Sequence, residues 1–422
     1  MKGVFPLVGR VIVGLALLAS FGIDWANTEQ GGAVDLRNRI TGVRLLERGI
    51  DPYHYKWHEG DPPEYIDLRN NPALPVSKTT VTPALLLLHL PFAALPYRVT
   101  QFLWLFAQWL MLLGTGWLWW RACTTPLAGW LVALFMTGLT YTAAWRWEAE
   151  RGQAYLLLAF LFSYWQMATM DPKRGNGFVP GCVMGFLVAL RPPFLLLLPF
   201  LALHRRGQLL GVAAGLLFGF GLPMLMSPNC WTDYFSAMQT FSHLYRYAVI
   251  PPHGPALHYP PIIEGIPIDT LGHLLLFHNA DFSVHGLLRW LGLEPFPDQP
   301  LLLAVAAPFA VWLWWTRAQP VESLPPGLAA WFFLSDLFLP AFRFSYHDLF
   351  ILNVVLCGLV TAKKIPWATW PCLLALPLGW AVYVFWPASP WWINAPAFFF
   401  TVGAIMNLFS FRGEAAHERS KE

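Results

Sequence analysis

The sequence predicts an all-α polytopic membrane protein, on three observations: its composition, the recurrence of long apolar runs, and the placement of its basic residues. Hydrophobic residues make up 56% of the 422 and charged residues only 12%, with 23 tryptophans. A soluble domain carries about twice that share of charge, so the composition excludes one. Apolar runs of roughly 17–25 residues recur along the chain, each long enough to cross a ~30 Å hydrocarbon core as a helix. Runs such as 209–226, 301–315 and 349–360 are apolar on every face. Barrel strands would be shorter and would alternate, so helices are the spanning elements.

Lys2 followed by the apolar stretch Val11 to Ile23 reads as an anchored first span, since no small-x-small cleavage site closes it. Short connections rich in Lys and Arg stay in the cytoplasm. Arg121, Lys173 with Arg174, Arg205 with Arg206, Arg317, Lys363 with Lys364, and the tail 412–422 all fall on one side if the spans are drawn at about 8–24, 99–120, 126–145, 153–170, 177–190, 193–204, 209–226, 300–316, 326–342, 348–362, 366–386 and 391–410. That drawing gives about twelve transmembrane helices with both termini cytoplasmic. It requires Pro83 to Pro96, interrupted by Pro91, to be interfacial or re-entrant, because a crossing there would export Arg121, Lys173 and Arg205.

Residues 1–422 then form a single integral-membrane domain with two long extracytoplasmic loops, about 24–98 and 227–299. Loops of that length usually carry function. The first opens with an amphipathic candidate, Val34 to Glu47. Leu36, Ile40, Val43, Leu45 and Leu46 supply its apolar face, and Arg37, Arg39, Arg44 and Glu47 a polar one, so it should lie along the membrane surface. Cys123, Cys182, Cys230, Cys357 and Cys372 are scattered, with neither disulfide nor zinc spacing. His243, His253, His258, His273, His278 and His285 of the second loop also lack a metal-site pattern, so no metal, cofactor or nucleic-acid partner is expected.

Asp35 is the leading candidate for chemistry, a carboxylate just beyond the first span at the head of a surface helix. The same position suits a first-turn acid that only complements the helix dipole. Arg191 stands before Pro192-Pro193 at the end of a short helix; a charge there faces a cavity or a partner, or else caps the helix and snorkels to the interface. Arg343 and His347 form a second outer cluster. Glu148, Glu150 and Arg151 precede Gln153 in a short outer loop, and Asp51 reads as the organiser of the Asp51-Pro52-Tyr53 turn. Asp336, inside a span, should pair with a neighbour or stay protonated.

Asp35-Leu36, Gly49 to Tyr53, Gly152-Gln153 ahead of Ala154 to Phe162, Arg191-Pro192, and Ser345-Tyr346-His347-Asp348 occur in an order that resembles the DUF2029 family, glycosyltransferase family 87. The resemblance implies a GT-C fold and the transfer of a sugar, such as mannose, from a polyprenyl-phosphate donor to a lipid or glycan acceptor. It further implies an active site on the outer face of the inner membrane, among membrane lipids. Asp35 would be the general base, ionised at neutral pH if near its reference value. Arg191, His347 and Arg343 would hold the donor phosphate, while Gln153, Asp51, Tyr53, Glu150 and Arg37 would line the substrate site. A looser match, Asn279 to Gly286, points to acceptor binding. The charged stretch after Tyr55 is longer than the family's usual linker, which leaves acceptor and sugar open.

Two other classes share these features. A secondary transporter would need matching broken helices in both halves, and a single break is visible, at Arg191. A lipid-linked-sugar flippase or non-catalytic envelope subunit would leave Asp35 as a helix cap.

Overall fold

The computed structural model describes residues 4–68, 70–171, 173–246, 257–267, 283–293, 298–339, 343–361, 369–385, 396–406 and 408. The chain forms a helical bundle in which α1 (Val4–Gly31) leads into α2 (Val34–Glu47), then two short helices, α3 (Pro83–Leu87) and α4 (Leu90–Ala93), and the long α5 (Tyr97–Ala122). There follow α6 (Pro126–Leu139), α7 (Ala143–Arg151), α8 (Tyr155–Met170), α9 (Phe178–Leu190), α10 (Leu198–His204), α11 (Leu209–Met226) and α12 (Cys230–Arg246). A two-stranded antiparallel hairpin, β1 (Ile262–Ile263) with β2 (Ile266–Pro267), interrupts the helices. Beyond it lie α13 (Val284–Trp290), α14 (Asp298–Thr316), α15 (Pro325–Asp336), α16 (Ile351–Thr361), α17 (Trp370–Phe385) and α18 (Pro396–Met406).

Among the described residues four helical stretches are long and apolar enough to cross a membrane: Leu7–Gln30, Tyr97–Ala122, Arg206–Met226 and Gln299–Thr316. The pair α6 and α7, bent by 59°, passes the same test when joined. Shorter apolar helices accompany them, including Tyr155–Met170, Phe178–Leu190 and Ser345–Thr361. The outer surfaces of the four long helices carry exposed Leu7, Leu15, Leu18, Leu110, Leu210, Leu217, Leu225 and Trp314, which water would not tolerate as a set and lipid would. The protein is an all-α membrane protein. The tail 412–422, Lys363 and Lys364 lie outside the described residues.

Two local departures from the sequence reading matter for the site. The stretch expected as one span at 126–145 breaks after Leu139, and α7 runs on to Arg151, past the expected boundary. Helix α2 has the expected ends, but its arginines do not form a solvated face: Arg37, Arg39 and Arg44 are buried along with Leu36, Ile40 and Val43. Their guanidinium groups find carbonyl and carboxylate acceptors contributed by other parts of the chain, which periodicity along one helix cannot reveal.

Helices α9 and α11 approach closely enough for their backbones to touch. A β-carbon on Gly181 would overlap the Gln208 carbonyl oxygen, and one on Gly185 that of Val212. Gly211 and Gly215 would meet Phe178 and Cys182 in the same way. Both helices carry glycine at every fourth position, which puts the small residues on one stripe and replaces an aqueous hydrophobic drive with close van der Waals contact. Gly185→Leu is expected to separate the pair, at a cost of at least ~1–3 kcal/mol for overpacking. Loss of monodisperse protein, or a melting temperature several degrees lower in detergent, is the measurable result; wild-type behaviour would mean that the helices can slide apart freely.

Candidate functional site

The chain leaves α1 through two residues in left-handed backbone, Gly32 (φ 71°) and Ala33 (φ 47°). That conformation costs a non-glycine residue about 1–2 kcal/mol. The buried Tyr97 hydroxyl offsets part of it by bonding the carbonyls of Gly32 (2.8 Å) and Ala33 (2.7 Å). The kink sets Asp35 in the first turn of α2, partly exposed, facing the end of α7.

Arg151, the last residue of α7, donates through Nε to Asp35 Oδ2 at 2.5 Å and through its terminal nitrogen to Oδ1 at 3.2 Å. The Gln153 side-chain amide donates to the same Oδ2. Between them Gly152 terminates α7 with φ 65°, and a β-carbon there would stand 2.6 Å from that of Leu36. Only glycine meets both demands, so α2 and the end of α7 can lie side by side. Gly152→Ala combines positive-φ strain with that clash and is expected to cost more than ~1 kcal/mol. A thermal melt beside Gly60→Ala, where φ is also positive but the space is open, separates the two contributions.

Arg39 lies one turn beyond Asp35 on the same face of α2. It is buried and donates to the Gly152 carbonyl at 2.5 Å and to Gln153 Oε1. Burial pulls its guanidinium below the usual arginine value, while the charges of Asp35 and Glu148 act to hold it up. Trp104 and Gln108 both donate to the Gln153 backbone carbonyl, at 3.0 and 2.9 Å. Glu148 accepts from the Leu156 backbone N–H at 2.9 Å, fixing the start of α8. The loop that carries Gln153 is thereby held from every side.

A second polar cluster joins α8, α9, α15 and the turn Ser345–Phe350. Arg191 ends α9 in extended backbone, as a residue before proline must. It pairs with Asp336 Oδ1 and donates to the Tyr155 hydroxyl at 2.7 Å. Asp336 Oδ2 faces His347 Nδ1 at 2.9 Å and Arg343 Nε at 3.2 Å, and Arg343 also meets Asp348 at 2.6 Å. The Tyr155 hydroxyl lies 2.7 Å from His347 Nε2, with the two rings stacked at 4.4 Å. Asp336 is thus paired, one of the two states that a buried acid demands.

The two clusters are continuous. The Arg151 guanidinium sits 5.8 Å over the Phe344 ring, Phe344 stacks on Tyr346 at 5.4 Å, and Tyr346 packs 5.0 Å from Tyr155. Along this chain Asp35, Arg151, Tyr155 and Arg191 remain partly exposed, whereas Arg343, Asp336 and Asp348 are sealed behind them.

Other expected site residues lie elsewhere. Arg37 donates to the carbonyls of Ile66, Pro63 and Glu64, covers the Tyr97 ring at 4.9 Å, and pairs with Glu264 of the hairpin turn, which also holds Arg44 at 2.7 Å. Burial lowers Arg37 to about 10. Asp51 accepts from the Tyr53 backbone N–H and pairs with His54 at 2.6 Å; Tyr53 is buried, its hydroxyl bonded to the Val81 carbonyl. Glu150 is partly buried beside Arg151. Residues 279–282 of the expected acceptor stretch, and His253, His273 and His278, lie outside the described residues. Sequence reasoning did not assign Arg39 or Tyr155; the spacing of Arg39 four residues after Asp35 was the available signal.

The fold and its polar core define a membrane protein with two charged clusters joined by aromatic contacts and enclosed by helices. The family model for Glycosyltransferase family 87 matches residues 80–254, bearing out the resemblance read from the sequence and indicating a glycosyltransferase. The matched segment contains Arg151, Gly152, Gln153, Tyr155 and Arg191; Asp35 and the Asp336–His347 cluster lie outside it. Comparison with curated proteins and with solved structures finds no match.

Proposed function

We propose that this protein is a GT-C glycosyltransferase of the inner membrane that moves a hexose such as mannose from a polyprenyl-phosphate donor to a lipid or glycan acceptor on the extracytoplasmic face. The observation that carries the reading is the run of contacts from Asp35 and Arg151 through the Phe344, Tyr346 and Tyr155 rings to Arg191, partly exposed at both ends. The acceptor hydroxyl attacks the anomeric carbon, the bond from that carbon to the phosphate oxygen breaks, and the hydroxyl proton passes to Asp35. Polyprenyl phosphate leaves with the bonding electrons, so one weak base suffices. Arg191 and Tyr155 face the departing phosphate, with His347 behind Tyr155. Arg343 supports from within, holding Asp336 and Asp348. Gln153 and Arg151 orient the Asp35 carboxylate, and Glu150 lies within reach of the acceptor.

The test uses the purified chain in lipid nanodiscs with radiolabelled polyprenyl-phosphate sugars and envelope lipids or glycans as acceptors. Release of free polyprenyl phosphate together with a glycosylated acceptor is expected for at least one donor. If no donor is consumed in nanodiscs, and the same chain in sealed liposomes only carries lipid-linked sugar across the bilayer, the protein is a flippase and the proposal falls.

A further inference from the structure

Gln153 stands between a group that can only donate, Arg39, and one that can only accept, Asp35 in its ionised form. An amide has one oxygen and one NH2 group, and reversing it would set NH2 against guanidinium and oxygen against carboxylate. Arg39 is itself fixed by the Gly152 carbonyl at 2.5 Å. Its burial leaves it no water with which to change partner. We infer that Arg39 is a positioning residue that sets the orientation of the Gln153 amide and so keeps a hydrogen-bond donor on Asp35 Oδ2. This rests on the proposed role of Asp35 as the base.

The inference separates Arg39 from the other arginines of α2. Arg37 and Arg44 end on Glu264 and on carbonyls of the first loop, away from the carboxylate. Arg39 alone among the three reaches Asp35 through an intermediary whose two ends differ chemically. Glutamine at 39 could donate or accept and would lift one of the two constraints on the Gln153 amide, leaving Asp35 alone to orient it; lysine could only donate and would keep both.

A double-substitution cycle on the full chain in nanodiscs tests this. Arg39→Gln and Gln153→Ala should each lower turnover, by up to ~10²-fold for a misplaced reacting group. The KM for the lipid donor should stay unchanged, and the double variant should be no worse than either single one. Arg39→Lys should recover most of the turnover. Additive losses, or Arg39→Lys as slow as Arg39→Gln, would mean that Arg39 only supports the fold, and the inference would be overturned. If Arg39→Gln does not fold, Gln153→Ala still carries a test: it removes the donor to Asp35 without adding a second carboxyl, so wild-type turnover there overturns the inference.

A second readout needs no activity. The infrared carboxylate band of Asp35, isolated in ¹³C-aspartate-labelled protein as the difference between wild type and Asp35→Asn, should shift in Gln153→Ala and in Arg39→Gln alike, with no further shift in the double variant. An unmoved band in Arg39→Gln overturns the inference. Wild type inert toward every sugar donor would overturn the proposed function instead, leaving the infrared result to decide the role of Arg39.

Discussion

Asp35→Asn is expected to reduce sugar transfer by ~10²–10⁴-fold while leaving the protein folded, because the substitution removes a proton acceptor and little else. Asparagine has nearly the same shape, and its side-chain oxygen can still accept from Arg151 or Gln153. The carboxylate is partly exposed, so the Arg151 charge left behind keeps access to water and to the Phe344 ring face. The cost to stability is accordingly far smaller than for a sealed ion pair. Initial rates under saturating donor, beside a thermal melt, separate the two effects. A change confined to turnover supports a base; equal loss in Asp35→Asn and in folded yield would return Asp35 to the role of a helix-terminus acid. Transfer at the wild-type rate would remove it from the mechanism altogether.

The elements that could be read from the sequence are those fixed by local pattern. The apolar runs became α5, α8, α9 and α11 within a few residues of their expected ends, since length and hydropathy are local properties. Helix α2 was legible for the same reason, from Val34 to the stop at Gly49. Its environment was not. An amphipathic pattern with Arg37, Arg39 and Arg44 along it reads as a surface helix, and the carbonyls of residues 63, 64, 66, 93, 95 and 152, together with Gln153 and Glu264, turn those arginines inward. The α9–α11 contact was written in the glycines at 181, 185, 211 and 215, yet an all-round apolar segment hides a glycine stripe unless that stripe is sought.

The site was legible as a set of candidates but not as a wiring diagram. Asp35, Gln153, Arg191, Arg343 and His347 were all singled out by type and position, and the structure gathers them into two polar clusters joined through Phe344 and Tyr346. The sequence left Asp336 without a partner because its three partners, Arg191, Arg343 and His347, come from two other segments. Tyr155 was invisible because an aromatic at the head of an apolar span is ordinary. Its hydroxyl acquires meaning only when Arg191 and His347 arrive on either side of it.

Asp336 is the position where substitution should cost the most stability. Its two oxygens serve Arg191 on one side and His347 with Arg343 on the other, all at a depth where Arg343 and Asp336 are almost completely sealed. Asp336→Ala leaves two buried guanidinium groups with Asp348 as the remaining acid in the cluster, and removing one member of a buried ion pair costs roughly 3–5 kcal/mol. Thermal unfolding in detergent should show a large downward shift or no folded protein. The pairing explanation makes a sharper demand on Asp336→Asn combined with Arg191→Gln. Deleting both charges should restore much of the stability lost in Asp336→Asn alone, since neither side is then left uncompensated. That double variant should still fail to hold a phosphate, with a raised KM for the lipid donor. If Asp336→Ala melts with wild type, the cluster is solvated in the working protein and Arg191 is freely available to any anion. If the double variant is no more stable than Asp336→Asn, the two residues are not energetically coupled, and Arg191 is held in place by Tyr155 alone.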